Sequence, residues 1–164
     1  MVNRLDLSLT KDLNMITPAK INAFTFLKLP SCWWCGVRVQ EITPEQCVVT
    51  VKHRWFNQNP FNSMYFAVQA MAAELSTGAL VMSYIKESDA RVSMLVANNE
   101  ATFTKKATGK ITFTCTDGLA IKEAIEKTVT TGQGQTVWME ATGINQDGIQ
   151  VSKFRFEWTV KRKG

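Results

Sequence analysis

The spacing of apolar positions along this chain changes several times, and each change marks an element. Ile21, Phe24 and Leu27, with Ala23 and Phe26, recur at helical spacing within Leu13–Leu29. They predict a helix with a break or kink at Pro18 and an end at Pro30-Ser31. Strand signals follow: Gly36 to Ile42 predicts a short strand, and Thr43-Pro44-Glu45-Gln46 a turn. Val49, Val51, His53 and Trp55 then alternate with Thr50, Lys52 and Arg54. This is the period-2 pattern of a half-buried strand, with His53 as an inward or edge residue in a structural role. Asn57 to Asn62 carries three Asn and a Pro and reads as a loop.

From Met64 to Met82 nearly every residue is Ala, Met, Val, Leu or small and polar. A helix apolar on all sides must be buried on several, so a long central helix is expected from Asn62 to Tyr84, capped by Asn62 or Ser63. Further strands are predicted at Arg91–Asn98, Glu100–Lys106 and Lys110–Thr116. An outer amphipathic helix follows over Asp117–Thr131, with Asp117 as its cap. Gln135–Ile144 and Ile149–Lys161 form a closing hairpin around Asn145-Gln146-Asp147-Gly148, where Gly takes the left-handed position. Phe154, Phe156, Trp158 and Val160 share one face while Ile149 and Val151 are out of phase, which predicts a bulge near Ser152. The fold class expected is α+β, with a curved antiparallel sheet wrapped around the long helix. One domain over residues 1–164 accounts for the chain, with a helical N-terminal segment (1–30) and a basic tail (161–164).

Composition adds limits. At 164 residues, 45% hydrophobic and 20% charged, the chain has a globular balance. No uninterrupted apolar run approaches the ~18 residues of a membrane span, and Met1 to Lys11 lacks the apolar block of a signal peptide. A cytoplasmic location is the expectation. The net charge of +5 falls partly in Lys161, Arg162 and Lys163. With the aromatic residues in strand-like alternation, nucleic acid is not an expected partner. An anionic small molecule remains compatible. Cys32-Trp33-Trp34-Cys35 has the spacing of a redox or metal half-site, but no second Cys pair and only one His accompany it. The preferred reading is semi-buried thiols beside two core tryptophans, with no metal.

Glu74 is the lone carboxylate of the apolar helix. Burying it bare costs several kcal/mol, so it must be paired, protonated or facing a cavity. Of its neighbours Ala70, Met71, Thr77 and Gly78, three are small, which leaves room for a groove. A carboxylate beside an apolar groove suits a general base acting on a hydrophobic substrate. The alternative is a structural Glu bonded to Thr77, Gln69 or the sheet. The helix N-terminus, with free N–H groups, is a second chemical feature.

Asn59, Tyr65-Phe66-Ala67 and Glu74 stand where hotdog-fold thioesterases, notably the phenylacetate-pathway branch, carry an Asn, a His-Gly-Gly and an Asp or Glu. The stretch from Ala101 to Gly109 also resembles that family. The resemblance implies a hotdog fold and hydrolysis of an acyl thioester such as acyl-coenzyme A, with no cofactor beyond the coenzyme A of the substrate. It implies Glu74 as base or nucleophile, the Phe66 backbone amide as oxyanion donor, and Tyr65 close to the reacting carbonyl. Asn59, Asn62, Ala70, Thr77 and Gly78 would line the substrate site, and Lys105, Lys106 and Lys110 could meet the cofactor phosphates. Tyr65 and Glu74 lie nine residues apart, roughly 13 Å at ~1.5 Å per residue. One helix cannot bring both ends to one carbonyl, so two subunits must build the site, in a homodimer or tetramer. Hydrolase is preferred to dehydratase because hotdog dehydratases use a His where Tyr65 stands. The rival reading is an acyl binder without catalysis.

Overall fold

The structure is a computed structural model that describes residues 16–164. The N-terminal stretch and the start of the first expected helix at Leu13 lie outside the described residues. Helix α1 (Pro18–Lys28) opens at Pro18 and is not kinked by it: Thr17 is the N-cap, its hydroxyl accepting from the Lys20 amide. Proline at the first helical position loses nothing, because its missing N–H would have had no partner. Asn22 ties this helix to the sheet, donating to the Val39 carbonyl and accepting from the Val39 amide, both at 2.9 Å. The helix stops ahead of Pro30 as expected, with Leu29 as its C-cap, and Pro30 then begins a second short helix, α2 (Pro30–Trp34).

Strands β1 (Arg38–Ile42), β2 (Cys47–Lys52), β3 (Val92–Phe103), β4 (Lys110–Cys115), β5 (Gln135–Ile144) and β6 (Gln150–Arg162) form one antiparallel sheet. Their order is β1-β2-β4-β5-β6-β3. Helix α3 (Phe66–Glu87) packs against five of the six strands, and α4 (Gly118–Thr131) closes over α3, β5 and β6. The expected α+β arrangement, a sheet around a long helix, is therefore present. Over its most apolar window α3 has a mean hydropathy of 1.2, enough by length and composition for a membrane span, but 67% of that window is buried inside the fold. Its apolarity serves a core.

Thr77 shows how α3 is locked to the sheet. Its hydroxyl donates to the Glu74 carbonyl and accepts the Trp158 indole N–H at 2.9 Å, all with no exposure at Thr77. Thr77→Val keeps the shape but strands a buried indole N–H. We expect it to lower unfolding stability by about 1–3 kcal/mol in a denaturant titration, while Thr77→Ser retains most of the stability.

Several boundaries differ from the sequence reading. The alternation through His53 and Trp55 does not stay in a strand: β2 ends at Lys52, and Trp55–Asn57 is a 3₁₀ turn with Trp55 82% exposed. Asn57 causes the turn. Its Oδ1 accepts from the Arg54 amide while its Nδ2 donates to the Lys52 and Cys35 carbonyls. The two strands expected after the central helix are one continuous β3, in which a bulge between Val96 and Asn98 absorbs the change of phase. The basic tail is shorter than expected, because Lys161 and Arg162 pair with β3. Arg162 also donates to the Val129 carbonyl at the end of α4, where a cation opposes the helix dipole. Asp117 sits at the N-cap of α4 without capping it. Its carboxylate accepts instead from the Glu140 amide on β5. The hairpin and bulge agree with expectation: Gly148 has φ +74°, and Val151 is the extra residue between the Gly143–Ser152 and Ile144–Gln150 pairs.

Candidate functional site at the start of the central helix

The loop before α3 is shaped by Asn59. Its Oδ1 accepts from the Phe61 and Ser63 amides, and the chain turns back through Asn62 at φ +55°. Met64 then pairs with the Ala107 carbonyl and Tyr65 with the Asn57 carbonyl, so α3 begins at Phe66 with Tyr65 as N-cap. The helix thus starts four residues later than the expected Asn62, and neither Asn62 nor Ser63 caps it. The Phe66 and Ala67 amides, at the first two helical positions, have no acceptor among the described residues. Such amides carry the positive end of the helix dipole.

On the far side, the bulged Val151 carbonyl accepts from both Thr104 and Lys105 amides, which fixes the loop after β3. Between this loop and the start of α3 lies an open cleft of about 530 Å³. Asn59, Tyr65, Phe66, Lys105 and Lys106 of the expected site line it, together with Phe61, Gln69 and Phe103. Tyr65, Phe66 and Phe103 meet edge to face along its wall, at centroid separations of 4.9 and 6.4 Å. Lys106 is not wholly free, since its ammonium donates to the Phe61 carbonyl across the mouth.

The remaining expected residues sit elsewhere. Asn62, Ala70, Thr77, Gly78 and Lys110 do not line the cleft, and neither does Glu74. The space beside Gly78 is already filled: a Cβ built there would stand 3.1 Å from a carboxylate oxygen of Glu74 on the same helix and 3.2 Å from the Trp158 ring. The small residue makes room for Glu74 and Trp158 and leaves no groove at that point. The Glu74 carboxylate itself has no hydrogen bond or ion pair among the described residues, and burial pushes its pKa above the ordinary 4.5. It lies near Cys32 of α2, whose thiol is pushed up to about 12, first by burial and then by the Glu74 charge. The structural alternative of a carboxylate bonded to Thr77 or Gln69 is not found, as Thr77 bonds the Glu74 carbonyl.

Gln69 escaped the sequence reading as a site residue, although the argument applied to Glu74 holds for it too. It is the other long polar side chain in the apolar stretch of α3.

Cys32 and Cys35 lie on one helical turn as free thiols, and the expected core tryptophans beside them are not core: Trp34 is exposed and Trp33 half-buried under the Arg38 guanidinium. Among the described residues no group of three His, Cys, Asp or Glu is placed to hold a metal ion. Burial raises the pKa of all four thiols, to about 12 for Cys32, Cys47 and Cys115. Thiolates are the reactive form. Native thiol titration at neutral pH is expected to label Cys35, the most accessible, slowly, and the other three only on unfolding.

The family described as a domain of unknown function (DUF4442) matches residues 18–160. The chain belongs to this family. Its fold is similar to that of a Pseudomonas aeruginosa protein of unknown function described as a probable thioesterase, with a TM-score of 0.77 and 18% identity over 92% of this chain and 99% of that one. A protein of unknown function from Chlorobaculum tepidum matches with a TM-score of 0.76 and 15% identity, over 91% and 99%. A Haemophilus influenzae thioesterase matches with a TM-score of 0.67 and 12% identity, over 90% and 92%. No curated protein matches the chain. This DUF4442 chain therefore has the hotdog fold. At these identities the likeness concerns the fold.

Proposed function

We propose that this protein hydrolyses acyl thioesters of hydrophobic acids, with acyl-coenzyme A as the substrate class, at a site completed by a second copy of the chain. The observation that carries the reading is Glu74: a half-buried carboxylate on the core helix, without a hydrogen-bonding partner among the described residues and with its pKa raised by desolvation. Such a group is costly to keep unless it works as a base. The free Phe66 amide supplies the complementary feature, a donor for the oxyanion that forms when water adds to the thioester carbon. Glu74 is eight residues further along α3, roughly 12 Å at ~1.5 Å per residue, and outside the cleft that Phe66 lines. A site combining them takes the amide from one protomer and the carboxylate from its partner. The edge position of β3 supports pairing of two copies, because this long strand presents unpaired backbone groups and the exposed Leu95 and Phe103.

In the reaction, Glu74 takes a proton from water as its oxygen bonds to the thioester carbon. Collapse of the tetrahedral adduct breaks the carbon–sulfur bond, and the proton passes to the departing thiolate. Lys105 and Lys106 at the cleft mouth offer cations to the phosphates of the carrier.

A second reading, binding without hydrolysis, is favoured by the Tyr65–Phe66–Phe103 wall, which lines the cleft with aromatic rings. A panel of acyl-coenzyme A substrates of graded length separates the two. Turnover of any member that Glu74→Gln abolishes supports the hydrolase. Saturable binding with no turnover by the wild type supports the binder.

A further inference from the structure

Gln69 is 4% exposed, lines the cleft, and leaves its carboxamide Oε1 without a donor. Its Nε2 donates to the Met64 carbonyl at 3.4 Å, a long bond. Exchanging the two ends of the carboxamide would set oxygen against oxygen at Met64, so the free end is the acceptor. A buried acceptor with no partner is destabilising, and the cost is removed by any ligand that brings an N–H. The oxygen is closed off from solvent, so meeting a ligand takes a turn about the terminal torsion of Gln, which is broad and two-fold, with release of the long Met64 bond.

Gln69 is also spaced for a particular ligand. It follows Phe66 by three residues on the same helix face, a rise of roughly 4.5 Å at ~1.5 Å per residue. In the thioester of a cysteamine amide, the end of a pantetheine arm, four bonds link the reacting carbon to the amide nitrogen, a reach of roughly 5 Å at ordinary bond lengths. A carbonyl oxygen at the Phe66 amide would bring that N–H to Gln69.

We propose that Gln69 is a specificity-determining residue that accepts the amide N–H nearest the sulfur, so that the cleft selects thioesters of amide-bearing thiols over those of plain thiols. The proposal rests on the thioester reading of the same site and adds the group by which the thiol half is recognised.

The test compares two substrates with the same acyl chain: the N-acetylcysteamine thioester, and its isostere in which an ester oxygen replaces the amide N–H. The wild type is expected to prefer the amide roughly tenfold or more in kcat/KM, and Gln69→Met to bring the ratio within about twofold of one. Met has a similar shape and no unpaired acceptor, so the variant should melt at or above the wild-type temperature. Equal rates for both substrates in the wild type, or a preference that survives in Gln69→Met, overturn the proposal. If neither thioester is hydrolysed, the corresponding ketones, with CH₂ in place of sulfur, bind without reacting. The same Gln69-dependent preference in their Kd sustains the assignment although the hydrolase reading fails. Equal Kd values overturn it.

Discussion

Glu74→Gln is expected to lower kcat/KM for acyl thioesters by roughly 10²–10⁴-fold, the usual contribution of a general base, and at the same time to stabilise the fold at neutral pH. The two effects share one cause. Burial raises the pKa of the Glu74 carboxyl above 4.5, so the folded state holds this proton to a higher pH than the unfolded state. The contribution of Glu74 to stability is then most favourable below the unfolded pKa. It declines as pH rises through the interval up to the folded pKa and stays low above it. Glu74→Gln lacks that decline. Its gain should appear at pH 7 and vanish on acidification below the ordinary carboxylate range. For activity the sign is opposite. The base works only when ionised, so wild-type kcat/KM should rise with pH through an apparent pKa above 4.5. Thermal melts of both proteins from pH 4 to 8, beside a pH–rate profile, check both halves. A variant as fast as the wild type removes Glu74 from the chemistry. A stability difference that does not change with pH removes the linkage.

The sequence made the core legible because the signal was long. An apolar stretch from Met64 to Met82 with one carboxylate admits few arrangements, and a buried helix inside a sheet is the simplest. The hairpin at Asn145–Gly148 and the bulge beside Ser152 were also readable, since a glycine at positive φ and a slip in period-2 phase are local facts. What failed depended on distant partners. Trp55 continues the alternation of β2 yet leaves the sheet, because Asn57 closes a turn by bonding Cys35, far back in the chain. The single strand β3 was expected as two, because nothing local in the sequence separates a bulge from a break. Asp117 read as a helix cap, but the amide it serves belongs to Glu140 on β5.

The candidate site divides along the same line. Glu74 could be found from its own helix, as one charge among apolar residues. The cleft could not, because its walls come from the Asn59–Tyr65 loop and the Phe103–Ala107 loop, which meet through the Met64–Ala107 backbone bond, the second loop being held to β6 by the bulged Val151 carbonyl. Small neighbours of Glu74 suggested a groove, whereas Gly78 is small to admit Trp158. Side-chain size on one element says that space exists, and only the facing element says what fills it.

The largest effect on stability is expected at a position with no role in the chemistry. Gly118 is the first residue of α4, and its N–H donates to the Glu45 carbonyl in the turn between β1 and β2. A Cβ at this position would lie 2.0 Å from the Pro44 carbonyl oxygen and 2.8 Å from the Glu45 carbonyl group. These are backbone atoms, so no side-chain rotation relieves the overlap. The turn cannot withdraw easily, because Thr43 and Gln46 close it by a backbone bond and the Pro44 oxygen also accepts the Tyr84 hydroxyl at 2.6 Å. That last bond anchors the C-terminal part of α3, the helix that carries Glu74. Alanine is a better helix former than glycine by roughly 1 kcal/mol, so propensity alone predicts a gain. The overlap should outweigh it, and we expect Gly118→Ala to destabilise the protein by about 3 kcal/mol. That corresponds to a melting temperature lower by roughly 6–12 °C in a domain of this size. Gly134→Ala is the control, since a Cβ there meets nothing closer than 3.9 Å and should leave stability within about 0.5 kcal/mol. A Gly118→Ala protein that melts with the wild type would mean that the turn and α4 do not meet as closely as described, and the anchoring of the central helix through Tyr84 would then lose its support.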